Sequence, residues 1–292
     1  MSHEEMETLY VSTHDGRTLE ALVTGPREGT VLVFHSGTPF GLVPLPSGLD
    51  PAAMGIRTLL YARPGYGRSS PQPGRSVADA ASDTAAILDA LEVEQFINVG
   101  WSGGGPPALA CDALLADRCL ATAVIAGIAP YTEADTPSEV RSWYEEDEDN
   151  KLWFAGEVAE FRRCVDAFVR QLAESDADGI AANTTSEADR RFLSEGYGEW
   201  VASCFKTAGV SGSVGAADDY LASFRDWGFP LAETRNVTIW HGSDDQNVPP
   251  SHGEWLARHL PAAELRALDD EGHISIVGHL PEIIEELRSR AN

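Results

Sequence analysis

The stretch from Phe96 to Gly105 constrains this chain more than any other part of it. Phe96-Ile97-Asn98-Val99-Gly100 is a short apolar run of strand character, and the residues from about Gly104 to Ala116 have helix character. Ser102 sits at the junction, inside Gly100-Trp101-Ser102-Gly103-Gly104, and so fits G-x-S-x-G in a strand–turn–helix setting. A serine placed there stands on a sharp turn, and small residues on both sides let that turn close without side-chain clashes. The helix that follows presents free backbone N–H groups toward negative charge developing beside the serine. A glycine-rich turn can also bind phosphate, but here it lacks the lysine of a P-loop and the spacing of a dinucleotide fingerprint. Ser102 is therefore read as a nucleophile.

The rest of the chain supplies a sheet for that turn. Residues 6–11 and 17–24 flank His14-Asp15-Gly16 as an opening hairpin. Thr30 to Phe34 is a continuous apolar run of the kind found in central parallel strands. Ile56 to Tyr61 reads as the next strand, and Ser76 to Leu91 carries Val77, Ala81, Ala85, Leu88 and Leu91 near helical spacing. Leu120 to Ala126 is the strand after the nucleophile helix. Between about Tyr131 and Phe229 the alternation stops, and the pattern is helical, rich in aromatics and broken by the acidic run Glu145 to Asp149. It resumes with strands at Val237–Trp240 and Glu264–Leu268 and helices at Ser251–His259 and Pro281–Arg288. The expected architecture is α/β, a mostly parallel central sheet flanked by helices. Residues 1–130 and 230–292 would form its core, and 131–229 a helical cap inserted after the strand that follows the nucleophile helix.

Charge narrows the choice of partners. The 292 residues include 46 Asp or Glu and 21 Lys or Arg, a formal net charge of −25. Such a surface repels nucleic-acid phosphates and anionic lipid, so neither is an expected partner; a small-molecule substrate is. No apolar run reaches the roughly 18 residues of a membrane helix, and the longest candidate, Cys119 to Ala129, reads as a buried strand. Met1-Ser2-His3-Glu4-Glu5 is acidic and has no apolar segment, so no secretory leader is expected. Cys111, Cys119, Cys164 and Cys204 show neither a C-x-x-C pair nor a metal-site spacing and read as reduced packing thiols of a cytoplasmic protein. Neither metal nor organic cofactor is implied.

A serine hydroxyl is a weak nucleophile until a base takes its proton. Among the eight histidines, His273 is the expected base, because it follows the last strand in Asp269-Asp270-Glu271-Gly272-His273. Gly272 would free that loop to aim the imidazole at the sheet edge. His252, His259 and His279 lie on or near expected helices as surface or packing residues, and His35 is read as structural. A carboxylate must orient the imidazole and stabilise its protonated form. The loop from Trp240 to Pro249 offers two adjacent candidates, Asp244 and Asp245, whereas the strand ending in Ala126-Gly127 offers none. Oxyanion donors are expected from the backbone amides of Gly103 and of Thr38, the latter in the loop His35-Ser36-Gly37-Thr38-Pro39.

These residues resemble the α/β-hydrolase superfamily, in particular its capped serine hydrolases of the esterase, proline iminopeptidase and C–C hydrolase kinds. The resemblance is carried by Ser36 to Pro39, Arg63-Pro64-Gly65-Tyr66-Gly67-Arg68-Ser69, Gly100 to Gly105, Gly242 to Pro249 and Gly272-His273. It covers the two core segments and leaves the inserted one unmatched. The family form Gly-x-x-Asp-x-x-Val-Pro selects Asp245, leaving Asp244 as a turn-former that bonds local backbone. The order Ser102, Asp245, His273 is also the family's. Two positions depart from its pattern: Ala62 stands where many relatives carry a loop-bracing Asp, and the usual His-Gly of the oxyanion loop is Ser36-Gly37. A serine nucleophile argues against haloalkane dehalogenase and epoxide hydrolase chemistry, which forms an alkyl ester on a carboxylate.

The resemblance implies a serine hydrolase that cleaves a small-molecule ester, amide or activated C–C bond through an acyl-enzyme on Ser102. One alternative is an aminopeptidase of the proline iminopeptidase kind, with Glu145, Glu146, Asp147, Glu148 and Asp149 as candidate amine binders, although such a run is more commonly a solvated face. Cofactor-free perhydrolysis is another. An alternative of a different class is a non-enzymatic ligand receptor on the same fold. Candidate substrate contacts are Trp101, Trp143, Tyr144, Trp153 and Phe154.

Overall fold

The opening hairpin forms as expected, from β1 (Glu7–Ser12) and β2 (Thr18–Thr24) paired antiparallel. The structure is a computed structural model that describes residues 6–133 and 136–291; the acidic opening Met1–Glu5 lies outside them. β3 (Thr30–His35), β4 (Ile56–Tyr61), β5 (Phe96–Trp101), β6 (Cys119–Ile125), β7 (Val237–Gly242) and β8 (Glu264–Leu268) complete one eight-stranded sheet. Its order is β1-β2-β4-β3-β5-β6-β7-β8, and every pairing from β4 onward is parallel. The continuous apolar run of β5 is buried along its whole length, as a central strand covered on both faces requires. The edge strands β1 and β8 are largely exposed or half-buried. The apolar segment at Cys119 is the buried strand β6, and no described helix is long and apolar enough to cross a membrane.

Strand order decides where chemistry can occur. β3 lies beside β5 with His35 opposite Gly100, so the loop leaving β3 emerges against the turn that leaves β5. On the other side, β6 pairs with β7 and β7 with β8, with Ile125 opposite Trp240 and Gly242 opposite Leu268. All these loops leave the carboxyl edge of the sheet, where open α/β sheets bind ligands. Helices α1 (Asp79–Ala90), α2 (Gly105–Leu114), α10 (Pro250–His259) and α11 (Leu280–Arg290) are the crossover and closing helices.

Between β6 and β7 the chain makes seven described α-helices. They are α3 (Ser138–Glu145), α4 (Glu148–Phe154), α5 (Val158–Glu174), α6 (Ala177–Asn183), α7 (Glu187–Phe192), α8 (Gly198–Val210) and α9 (Val214–Ser223). Side-chain oxygens start several of them: Asp147 caps α4, Asp176 caps α6 and Ser186 caps α7. Helix α5 buries the stripe Phe161, Val165 and Val169, each side chain worth about 1.5–3 kcal/mol of burial. Gly209 lets α8 lie close to α5, since a Cβ there would stand 2.6 Å from that of Ala173. The inserted helices share the apolar core of the sheet. One buried cluster joins Val124 and Val237 to Phe161 and Val165, and another joins Phe34 and Ile276 to Phe192 and Trp200.

Candidate active site

The turn after β5 holds Ser102 at φ 54°, a left-handed conformation that a residue with a side chain rarely adopts. Its neighbours must be small. A Cβ on Gly100 would stand 2.3 Å from the Gly104 carbonyl oxygen, and one on Gly104 would stand 2.0 Å from that of His35. The strained turn points the Ser102 hydroxyl away from the sheet, where His273 meets it. His273 Nε2 lies 2.9 Å from Ser102 Oγ, and His273 Nδ1 lies 2.8 Å from Asp245 Oδ2. The second carboxylate oxygen, Asp245 Oδ1, accepts from the amides of Asn247 at 2.9 Å and Val248 at 2.8 Å. Burial opposes the charge on Asp245, but His273 and His241 beside it hold the carboxyl well below its usual range. His241 Nε2 is 3.3 Å from Asp245 Oδ2 and 2.8 Å from the Val248 carbonyl oxygen, so it ties the acid to its own loop.

The histidine loop is anchored by a residue that sequence reasoning missed. Asp189, on α7, is buried and accepts from three successive amides, His273 at 3.0 Å and Ile274 and Ser275 at 2.8 Å each. Trp101 Nε1 donates to the His273 carbonyl oxygen at 3.0 Å. Two readings of this region change. Asp244 does not serve the local backbone as expected; its carboxylate accepts from Ser186 Oγ at 2.8 Å and so joins the acid loop to α7. Gly272 does not occupy the left-handed region, so conformational freedom is not why it is there. It makes room, because a Cβ would stand 2.4 Å from Asp189 Oδ1 and 2.6 Å from Ser186 Oγ. Gly272→Ala is therefore expected to destabilise the protein by about 1–3 kcal/mol, read from urea unfolding, because the carboxylate cannot retreat without releasing three amides.

On the other side of Ser102, Thr38 and Gly103 approach each other closely. A Cβ on Gly103 would stand 2.5 Å from Thr38 Oγ1 and 3.3 Å from Thr38 N. Gly103 occupies the first turn ahead of α2, where amides have no intrahelical acceptor. Arg63 holds the Thr38 loop by donating to the carbonyls of Ser36 at 2.6 Å and Gly37 at 3.1 Å. The arrangement can take a proton from Ser102 and offer two backbone amides to an oxygen bound beside it.

Ser102 opens onto two chambers. The larger, about 560 Å³, is walled by Val77, Pro106, Ile128, Trp143, Tyr144 and Phe224 among others. The smaller, about 340 Å³, is walled by Phe40, Trp101, Leu172, Ile180, Phe205 and Ile274, and no described Asp, Glu, Lys or Arg lines it. Of the expected substrate contacts, Trp101, Trp143 and Tyr144 therefore reach a chamber. Trp153 and Phe154 line neither. At the end of α4 they pack that helix down, Trp153 stacking on Phe224 under Arg225 and Phe154 lying against Tyr131 and Phe224. The acidic run divides in the same way. Asp147 and Asp149 reach the larger chamber, while Glu145 accepts from the Tyr131 hydroxyl and Glu148 pairs with Lys151. His35 is buried edge-on against Tyr61, and burial, with Arg63 nearby, takes its imidazole down to about 3. Among the described residues, no group of three His, Cys, Asp or Glu side chains could hold a metal ion.

A parallel sheet that carries a strained serine after β5, an acid after β7 and a histidine after β8 defines a class of nucleophile-turn proteins. A family model described as alpha/beta hydrolase fold matches residues 30–280, and the chain belongs to that family. It is 28% identical over 287 residues to a non-heme chloroperoxidase of Streptomyces lividans, across 94% of this chain and 95% of that one. A pimeloyl-(acyl-carrier protein) methyl ester esterase of Aromatoleum aromaticum is 29% identical over 230 residues, 78% of this chain and 84% of its own length. Among solved structures, a thermophilic esterase from Thermogutta terrifontis matches with a TM-score of 0.66 at 19% identity, covering 98% of this chain and 100% of that one.

Proposed function

We propose that this protein is a serine hydrolase of small-molecule esters, working through an acyl-enzyme on Ser102. The observation that carries this reading is the unbroken hydrogen-bonded chain from Ser102 Oγ through His273 to Asp245. Ser102 attacks the ester carbonyl as His273 takes its proton, and the amides of Thr38 and Gly103 receive the oxyanion. The tetrahedral intermediate collapses as His273 returns the proton to the leaving alkoxide. Water, deprotonated by His273, then attacks the acyl-enzyme, and His273 returns that proton to Ser102 Oγ as the acid leaves. Asp245 keeps the proton on His273 Nδ1 throughout, so that Nε2 faces the serine as an acceptor.

The inserted helices, residues 131–229, act as a cap that closes two chambers around the serine, one for each half of the substrate. The smaller takes an uncharged group, since a charge there would lose its hydration with no opposite charge to meet. The ester reading is favoured by the relative whose name specifies a methyl ester, and by the chambers themselves. An aminopeptidase needs an anchor for a free amine. Two carboxylates of the larger chamber are already engaged by arginines, the buried Asp83 by Arg17 and Asp219 by Arg63 and Arg75. That leaves Asp147 and Asp149, both exposed, where attraction for a cation is screened by water. The buried thiols of Cys111, Cys119 and Cys204 are unpaired and suit the reducing cytoplasm.

Intact-mass measurement after a fluorophosphonate probe tests the reading, with a single adduct expected on Ser102. A folded protein that takes up no adduct there would sink it. A panel of uncharged esters of increasing chain length then sizes the smaller chamber. Leu172→Trp should lower the ratio of kcat/KM for long over short esters at least about tenfold, as an overfilled apolar pocket does.

A further inference from the structure

The loop that carries Thr38 is held, along one wall of the larger chamber, by a charged cluster that reaches into the inserted helices. Arg63, 7% exposed, binds the carbonyls of Ser36 and Gly37, and its Nη2 also donates to Thr38 Oγ1 at 2.9 Å. That guanidinium rests on Asp219 of α9, with Nε at 3.0 Å and Nη2 at 2.7 Å from Oδ2. The same oxygen accepts from Thr38 Oγ1 at 3.0 Å and from the Tyr66 hydroxyl at 2.9 Å. Asp219 Oδ1 accepts from Arg75 Nη2 at 2.5 Å, and Arg75 continues to the carbonyls of Pro64 at 2.8 Å and Gly215 at 3.0 Å. Ala62, next to Arg63, has no carboxylate to offer, so the brace comes from 156 residues away.

We propose that Asp219 is a positioning residue for the oxyanion hole, fixing the Thr38 amide relative to Gly103 through Arg63 and the Thr38 hydroxyl. The inference rests on the reading of those two amides as the oxyanion donors. Thr38 follows Gly37, a residue with wide backbone freedom, and an oxyanion donor is effective only if it is held in place before charge develops. The Thr38 hydroxyl suits this task because it accepts from Arg63 and donates to Asp219, so two contacts fix one side chain. The docking of α9 is equally constrained. Gly65 lies at φ 88°, and a Cβ there would stand 2.8 Å from Gly215 N, while a Cβ on Gly215 would stand 2.4 Å from the Tyr66 ring. Backbone thus meets backbone at the start of α9, one turn before Asp219. Burial by itself raises a carboxyl, but Arg63 and Arg75 outweigh it and take Asp219 down to about 2. The brace therefore stays charged throughout the neutral range.

The experiment compares wild type, Asp219→Asn and Thr38→Val on one uncharged ester. Beside the kinetics, it measures affinity for a trifluoromethyl ketone of matching shape. Ser102 Oγ adds to the ketone carbon as its proton passes to His273, and the former carbonyl oxygen becomes an oxyanion in the hole. Asp219→Asn is expected to lower kcat about 30- to 300-fold with KM within about threefold, and ketone affinity should fall by a similar factor. Thr38→Val, which keeps the shape of the side chain, should lower kcat about 5- to 20-fold with the same split. A folded Asp219→Asn with kcat within about twofold of wild type, or one whose loss lies in KM alone, overturns the proposal. Should Asp219→Asn not fold, because it strands two buried arginines, Thr38→Val decides by the same criteria. A wild type that neither cleaves esters nor binds the ketone overturns the hydrolase reading and this one with it. An active wild type beside undiminished variants overturns this one alone.

Discussion

Ser102→Ala is expected to lower kcat about a million-fold while leaving the fold and substrate affinity in place. The size follows from what is removed. The reacting Oγ is lost, but Cβ remains, and alanine meets the same strain at φ 54° that serine already bears. Gly100 and Gly104 still close the turn, and His273 keeps both Asp245 on its ring and Asp189 on its backbone. What survives is the contribution of the amides and of binding, about a thousandfold over water. The check is ester turnover by the variant set against a thermal melt, with a fluorophosphonate blank in parallel. A folded Ser102→Ala retaining more than about a thousandth of wild-type kcat shows that another group is the nucleophile.

Asp245→Asn should cost about ten-thousand-fold in kcat with little change in KM. As a carboxylate, Asp245 accepts from the Asn247 and Val248 amides on one oxygen and faces His273 Nδ1 with the other. In the variant, the two loop amides demand the amide oxygen, which turns the side-chain NH₂ toward His273. Nδ1 must then accept, the ring proton moves to Nε2, and the base can no longer take a proton from Ser102. The neighbouring Asp244→Asn is the control. Asp244 bonds Ser186 and Gln246, so its loss should change kcat by less than about tenfold. Equal losses in the two variants would mean that the acid had been assigned to the wrong residue.

Why these residues could be named in advance is a matter of locality. The strands β3 and β4 announce themselves by runs of apolar and β-branched residues, and the turn at Ser102 by glycines whose missing side chains sit within a few positions of it. Asp189 and Asp219 were not legible in this way. Each is paired with residues far along the chain, His273 and Arg63, and no spacing rule connects them. Asp189 also has a local disguise. Ser186 caps α7 through the Asp189 amide, so the stretch reads as an ordinary helix start while the carboxylate is spent elsewhere. For Asp219 a weak signal existed. It lies within Ala216-Ala217-Asp218-Asp219-Tyr220-Leu221, where acids on an otherwise apolar helix call for buried partners. The aromatics were the opposite case, since an aromatic ring packs on neighbouring rings as readily as on a ligand, and only the ring contacts of Trp153 and Phe154 around α4 separate the two.

The carboxylates of Asp189 and Asp219 also set a rule for anyone recombining this protein with its relatives. The stretch between β6 and β7 looks like an exchangeable cassette, entered and left through neighbouring strands. A graft that supplies seven well-made helices from another enzyme would still inherit a serine with a slack histidine loop and an unbraced Thr38. Chimaeras should therefore recover turnover only when the donor brings, or is given, acids at the places of Asp189 and Asp219. Substrate preference can be transplanted here, but part of the rate enhancement travels with it.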